Sequence, residues 1–309
     1  MDISVVIPTY NEEANVDKLY QRLSEVMQQL SVSYELVFVN DGSRDRTIAL
    51  IKDLAGRDER VKYIDFSRNF GHQIAVTAGL DRCGGQAIVI IDADLQDPPE
   101  LIIEMYQKMK EGYEVVYAKR KNRRGESWLK LWTAGAFYRI LSNITSISIP
   151  VDTGDFRIID RKVVDILKQM PEKSKFLRGQ ISWVGFNQTF LEYERQERHG
   201  GETGYTYRKM LNFALDGITG FSDLPLKIVT YFGFLVSFVA FLVMIYALVS
   251  RFVWEDYEPG WTSLMISVLF IGGIQMIAIG IIGEYLSRMN QNIRNRPLYI
   301  VKDSNIEAL

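Results

Sequence analysis

The sequence predicts an α/β fold, a mostly parallel sheet with helices on both faces, carried on two membrane-spanning helices. Two observations point there. Residues 3–118 alternate short runs rich in Val, Ile, Phe and Tyr with longer amphipathic stretches, the rhythm of βαβ units. The last third instead holds two charge-free stretches, 23 residues from Ile228 to Ser250 and 25 from Pro259 to Gly283. At about 1.5 Å per helical residue, roughly 20 residues cross a hydrocarbon layer of about 30 Å.

In chain order, strands are expected at Ile3–Ile7, Glu35–Val39, Val61–Phe66, Ala87–Ile91 and Glu114–Ala118. Amphipathic helices are expected between them at Ala14–Leu30, Thr47–Leu54, Gln73–Asp81 and Glu100–Met109, and a further helix at Asp160–Leu167. The two charge-free stretches are apolar all round, whereas a long core helix of a soluble domain normally keeps a polar face. Their flanks set an expected orientation. The linker Arg251–Glu258 is acidic, while Arg208, Lys209 and Lys227 precede the first span and Arg288, Arg294, Arg296 and Lys302 follow the second. Lys and Arg collect on the cytoplasmic side, so both termini are expected in the cytoplasm of a two-span protein of the plasma (inner) membrane. The N-terminus begins directly with a strand pattern and lacks the regions of a signal peptide.

Averages over the 309 residues conceal this division: 47% hydrophobic, 24% charged, 36 Lys+Arg against 38 Asp+Glu, and one cysteine. They exclude a disordered chain and an internal disulfide scaffold. The near-zero net charge offers no reason to expect nucleic-acid binding.

In doubly wound sheets ligands sit beyond the carboxyl ends of the strands. Here the first strand is followed by Pro8-Thr9-Tyr10-Asn11-Glu12, the second by Asn40-Asp41-Gly42-Ser43, and the fourth by Asp92-Ala93-Asp94-Leu95-Gln96-Asp97. All are polar and acidic. Neither G-x-G-x-x-G after the first strand nor G-x-x-x-x-G-K-[ST] occurs, so no glycine loop cradles a phosphate. Carboxylates that meet a phosphate need a divalent cation between them, and hard oxygen ligands such as Asp94 and Gln96 suit Mg²⁺ or Mn²⁺. An Asp-x-Asp triplet is weak by itself. The competing reading makes it a cap for the helix that opens at Pro98-Pro99-Glu100.

Taken in order, Val5-Val6-Ile7-Pro8-Thr9-Tyr10-Asn11-Glu12, Val39-Asn40-Asp41-Gly42-Ser43 and Asp92 to Pro99 resemble the inverting family 2 glycosyltransferases of GT-A fold. Ser67-Arg68-Asn69-Phe70-Gly71, Asp152 to Arg157, Arg198 to Thr203 and Phe221 to Leu226 extend the resemblance to their polyprenyl-phosphate branch, of the bactoprenol glucosyltransferase and dolichol-phosphate mannose synthase type. The resemblance implies transfer of a hexose from a nucleotide sugar, UDP-glucose first and GDP-mannose as alternative, to undecaprenyl phosphate or a similar lipid. It places Pro8, Tyr10, Glu12 and Asp41 at the nucleotide and Arg198 near the phosphates. Asp92, Asp94 and Gln96 fall where the metal meets the diphosphate, and Asp155 at the reacting centre. Gly204-Tyr205 departs from the pattern, since many relatives carry Lys before that Tyr.

A phosphate acceptor is already an anion, so Asp155 is expected to position groups more than to act as a base; alternatively it caps the helix from Asp160. Residues 119–130 carry a net +5, with Arg120, Arg123, Arg124 and Lys130 expected at the acceptor phosphate. Trp128, Trp132, Phe137, Tyr138 and Leu141 follow on a helical pattern, the composition of a helix lying in the headgroup layer. The expected organisation is a catalytic domain over 1–204 with interfacial helices about 125–148, a juxtamembrane helix over 205–225, a hairpin over 226–287 and a tail over 288–309. The spans also offer a surface for packing against copies of the chain. His72 and His199 are weak candidates, as ready to be ordinary polar contacts as ligands, and Cys83 reads as packing. A processive polysaccharide synthase lacks its Gln-x-x-Arg-Trp here; a non-catalytic nucleotide-sugar-binding membrane protein is the remaining alternative.

Overall fold

The computed structural model describes residues 1–121, 153–194, 224–249 and 260–306. Arg123, Arg124, Lys130, Arg198, His199, the interfacial helix about 125–148 and most of the juxtamembrane segment 205–225 lie outside the described residues.

The expected strands form: β1 (Ile3–Thr9), β2 (Tyr34–Asn40), β3 (Val61–Phe66), β4 (Ala87–Ile90) and β5 (Val115–Arg120). Between them run α1 (Val16–Leu30), α2 (Thr47–Arg57), α3 (His72–Arg82) and α4 (Leu101–Lys110). Three further strands join, β6 (Thr153–Asp160), β7 (Gln188–Tyr193) and β8 (Val301–Ser304), giving the order β7-β5-β6-β4-β1-β2-β3-β8. β1 pairs in parallel with β2 and β4, β2 with β3, and β5 with β7, whereas β6 and β8 run antiparallel to their neighbours.

Why the central strands read so clearly follows from their burial. Every residue of β1, β2 and β4 is buried, as expected for a sheet covered on both faces. On one face Val16, Leu19, Leu23, Val26 and Met27 of α1, spaced at one helical stripe, pack with Ile51 of α2 and Ile102 and Met105 of α4 over Val5, Ile7, Leu36 and Phe38. On the other, Ala75, Val76, Ala78 and Leu80 of α3 cover Val6, Val37, Val39 and Ile88. Gly79 lets α3 lie this close, because a Cβ there would collide with Val6. Cys83 is buried in the same layer, which bears out its reading as packing.

After β6 come α5 (Arg161–Gln169) and α6 (Leu177–Val184). The cap of α5 is Asp160, whose Oδ1 accepts from the Lys162 amide at 2.9 Å, so Asp155 is a strand residue and not the helix cap. Likewise α4 starts at Leu101 with no side-chain cap, which removes the capping account of the Asp92–Asp97 turn.

Residues 228–249 and 261–283 of the charge-free stretches lie in two long helices, α7 (Leu224–Val249, 26 residues) and α8 (Trp261–Ile293, 33 residues). Both contain windows long and apolar enough to cross a membrane, none of it buried. Phe234, Phe238 and Tyr246 of α7 and Met276, Ile277 and Ile282 of α8 are exposed, the reverse of a core helix. α8 continues ten residues past the charge-free stretch, and the chain then returns to the sheet as β8. There Val301, Asp303 and Ser304 pair with Phe66, Asp65 and Ile64. Tyr299 stacks on Phe66 with centroids 5.1 Å apart, and Lys52 Nζ meets Asp303 at 2.5 Å.

Candidate active site at the carboxyl edge of the sheet

The turns after β1 and β2 are stitched into one ledge. The Asn11 amide donates to Ser43 Oγ at 3.0 Å, Asn11 Oδ1 accepts from the Arg44 amide at 2.8 Å, and the Glu12 amide donates to Thr47 Oγ1 at 2.8 Å. Asn11 adopts a positive φ of 56° there, a conformation that Asn tolerates better than most residues. Pro8 is buried within β1, while Tyr10 is 43% exposed on the ledge.

Asp41 is buried, and its carboxylate accepts from the amides of Phe70 at 2.6 Å and Gly71 at 3.0 Å. Burial raises its pKa, and those two amides oppose the rise. Its oxygens therefore pin the loop that opens α3. Gly42 makes the close approach feasible: its φ is +68°, and a Cβ there would stand 2.5 Å from the Arg68 carbonyl carbon.

The centre of the site follows from strand register. β4 and β6 are antiparallel, and their ladder ends with Ile90 opposite Arg157; Asp92 follows two residues after Ile90 and Asp155 precedes Arg157 by two, and both carboxylates come within 4 Å of His72 Nε2. Two carboxylates are thus aimed at one space, and cations fill in around them. His72 Nε2 lies 3.1 Å from Asp155 Oδ2 and 3.6 Å from Asp92 Oδ1. Arg178 donates through Nε to Asp155 Oδ1 at 2.8 Å, Gln73 Nε2 to Asp155 Oδ2 at 3.3 Å, and buried Arg157 stands 3.8 Å from Asp155.

The carboxylates respond in opposite directions. Burial would raise Asp155, yet the Arg178 charge and the His72 hydrogen bond hold it well below the usual carboxylate range. Asp92 is pushed up to about 6 by burial and by the charges of Asp155, Asp97 and Asp94, with His72 opposing. Burial would lower His72, but Asp92 and Asp155 outweigh it and carry the imidazole up to about 9. Such opposed environments for neighbouring groups mark functional sites.

Asp94 is buried, and its Oδ1 accepts from the Gln96 amide at 3.1 Å. Leu95 between them holds a left-handed φ of 58° while fully packed, a strained conformation for a bulky residue. Asp92 Oδ1 is a buried oxygen without a hydrogen-bond partner. No set of three His, Cys, Asp or Glu side chains converges on a common metal position among the described residues. A buried carboxylate oxygen with no hydrogen bond, its nearest cation His72 at 3.6 Å, fits a hard cation that takes one or two protein ligands and completes its shell from phosphate and water.

Arg120, at the end of β5, reaches the same edge: its guanidinium lies 3.1 Å from where a Cβ on Gly154 would stand, next to Asp155. Asp97 accepts from the Tyr193 hydroxyl, anchoring the far end of the Asp92–Asp97 turn. His72, Gln73, Arg157 and Arg178 were not singled out for this site by the sequence. The first two follow Ser67–Gly71 on the turn after β3, where the carboxyl-edge rule applied once more would have found them. Arg178 carried no local signal.

Comparison with known proteins places these observations in a family. Residues 4–167 match glycosyl transferase family 2, and residues 224–289 match the GtrB C-terminal hairpin. The chain is 54% identical over 301 residues to the glycosyltransferase YkcC of Bacillus subtilis (strain 168), covering 97% of this chain and 93% of that one. It is 42% identical over 302 residues to the prophage bactoprenol glucosyl transferase homolog of Escherichia coli (strain K12), covering 98% and 99%. The bactoprenol glucosyl transferase of Shigella phage SfII is 40% identical, with 98% of each chain covered.

Proposed function

The chain belongs to glycosyl transferase family 2, and we propose that it moves a hexose, glucose from UDP-glucose in the first instance, to the phosphate of undecaprenyl phosphate or a similar polyprenyl lipid. The observation that carries the reading is the convergence of Asp92 and Asp155 on His72, with Arg178 on Asp155, at the carboxyl edge. The glucosyl and bactoprenol parts rest on relatives of that name that match the chain from end to end.

In this reading the ledge of Pro8, Tyr10 and Glu12 receives the nucleotide, with Tyr10 offering an exposed ring. Asp41 acts by fixing the loop before α3 against that ledge. Asp92, Asp94 and Gln96 would hold Mg²⁺ or Mn²⁺. A cation held by them would supply positive charge to the departing diphosphate. The acceptor phosphate brings its own nucleophilic oxygen and needs cations more than a base. His72 and Arg178 supply fixed positive charge beside the reacting centre, and Arg120 adds to it from β5. Asp155, held anionic by these cations, orders them and is a poor proton acceptor. Displacement of the diphosphate by the acceptor oxygen in one step inverts the anomeric carbon.

α7 and α8 cross the bilayer as a hairpin in this reading. Support comes from β8, which returns the chain to the same sheet as β1, so the segments before and after the hairpin share one side. The basic flanks support a cytoplasmic side for both, and the entry of β8 at Phe66, the carboxyl end of β3, supports a ligand edge that faces the membrane. Incubation of the purified full chain with a panel of radiolabelled nucleotide sugars and undecaprenyl phosphate tests the proposal. A lipid-linked glucose is expected; donor binding with no lipid-linked product from any sugar nucleotide would refute it.

A further inference from the structure

The turn between β3 and α3 delivers two of the groups that meet Asp155, His72 at 3.1 Å and Gln73 at 3.3 Å. α3 begins without a side-chain cap, after Gly71 at a φ of 105°, so the placement of His72 depends on what holds residues 67–71. On one side Asp41 holds them, through the Phe70 and Gly71 amides. On the other side stands the segment that follows α8.

Ser67 donates its amide to the Ile300 carbonyl at 3.0 Å. The Tyr299 ring stacks on Phe66 with an interplanar angle of 20°, and Phe66 meets the Phe70 ring edge-on with centroids 5.6 Å apart. The Tyr299 hydroxyl donates to Asp81 Oδ2 at 3.1 Å, in the last turn of α3. One ring thus braces both the turn that enters α3 and the far end of the helix. Phe66 is 2% exposed, so loss of the Tyr299 ring would uncover it and loosen its contact with Phe70. Aromatic pairs of this geometry hold each other more tightly than burial alone accounts for. The other ties of the tail fall away from the turn: Asp303 takes Lys52 of α2, and Asn305 donates to the Val61 carbonyl at the start of β3. Tyr299 also lies beyond both family matches, which end at residues 167 and 289.

We propose that Tyr299 is a positioning residue for the transfer reaction: through Phe66 and Phe70, its ring sets where His72 stands against Asp155. The inference rests on the reading of the Asp155 cluster as the reacting centre. Displacement of a fixed charge there by about 1 Å costs up to about 100-fold in rate. Residues after the second apolar helix then complete a site whose carboxylates lie in the family 2 region.

The test compares Tyr299→Leu with Tyr299→Phe in the detergent-solubilised full chain. Phe keeps the stack and loses only the bond to Asp81; Leu keeps an apolar side chain and loses the ring. Tyr299→Leu should lower kcat about 10- to 100-fold with donor KM within about three-fold, and Tyr299→Phe should restore kcat to within about three-fold of the unmodified chain. A second readout needs no turnover. The chain holds two histidines, His72 and His199, so ring NMR signals of the histidine-labelled protein come from two sites, and His72→Gln identifies which is which. At fixed pH the His72 signal should move by more than its linewidth in Tyr299→Leu and stay in place in Tyr299→Phe. Lys52→Gln, which releases the same tail at Asp303 without touching the ring, should leave both readouts unchanged. Tyr299→Met repeats the comparison if the leucine variant does not fold. An unmoved His72 signal or an unchanged kcat in the ringless variant overturns the proposal, as does an equal effect of Tyr299→Phe or Lys52→Gln. A chain that transfers no sugar but shows the expected His72 pattern refutes the glucosyl-transfer reading and leaves the placement of His72 by Tyr299 standing.

Discussion

Replacing Asp155 by Asn tests whether its charge organises the site. The substitution keeps the shape and removes the negative charge on which Arg178 at 2.8 Å, His72 at 3.1 Å and Arg157 at 3.8 Å converge. Breaking a buried ion pair from one side costs about 3–5 kcal/mol, because the partner is left uncompensated. Asp155 is 14% and Arg178 23% exposed, and loss of the repulsion with Asp92 offsets part of the damage. The cost should therefore fall at the lower end, about 3 kcal/mol. For a domain of this size that lowers Tm by roughly 6–12 °C, readable by thermal unfolding of the detergent-solubilised full chain.

Turnover should fall at least about 100-fold, equivalent to about 2.7 kcal/mol of transition-state stabilisation, with donor KM changed less than about three-fold. If Asp155 acts by holding Arg178, then Arg178→Gln should cost much of the same, and the double variant should lose little beyond either single one. A Tm within a degree or so of the unmodified chain, or strictly additive losses in the double variant, would refute the reasoning.

Further outcomes are expected elsewhere. Asp94→Asn should cut transfer at least about 100-fold, and chelation of divalent cations should abolish it reversibly; full activity in either case sinks the metal reading. Gly42→Ala should destabilise by about 1–3 kcal/mol and raise donor KM, since its Cβ meets the 68–69 backbone at a positive φ; an unchanged Tm would speak against it. Asp58 is drawn down to about 2 by Arg60 first, with burial opposing. Its folded pKa is depressed, so its stabilisation is complete above about pH 4 and disappears as pH falls through about 2. With Arg60 about half exposed, that amounts to about 1 kcal/mol after screening. The Tm gap between the unmodified chain and Asp58→Asn should accordingly close on acidification, and a gap constant with pH would contradict the assignment.

What the sequence made legible tracks how local each feature is. β1, β2 and β4 are buried throughout and read directly as apolar runs. β6 was missed as a strand because Gly154, Asp155 and Arg157 interrupt its apolar residues, and these are site residues whose partners lie on other elements. β8 is four mostly polar residues, held by Lys52 and Tyr63 and by Asn305 just after it, which donates to the Val61 carbonyl, and no periodicity marks such a strand. Asp92, Asp94 and Asp155 were readable as carboxylates beyond or within apolar runs. That Asp92 comes beside Asp155 needs the pairing of β4 with β6 that brings their ends together, and that Arg178 answers Asp155 needs the packing of α6 beside that pair. Pairing across the sheet, not residue type, separates what could be read from what could not.

The β8 strand also bears on the proposed use of an acceptor that stays in the membrane. Residues 294–300 alone join the end of α8 to the sheet, and fully extended they reach no more than about 25 Å. The strand is entered at Val301 opposite Phe66, at the carboxyl end of β3, the edge that carries Asp41, Asp92 and Asp155. The Lys173 amide already touches Asn292 on the last turn of α8 at 3.0 Å, so the actual separation is shorter than that reach. An untethered domain would have to find the membrane and turn its ligand edge towards it. If α7 and α8 cross the bilayer as proposed, a four-residue strand would fix both the distance and the face, and a lipid phosphate would be met at the headgroup layer without leaving it.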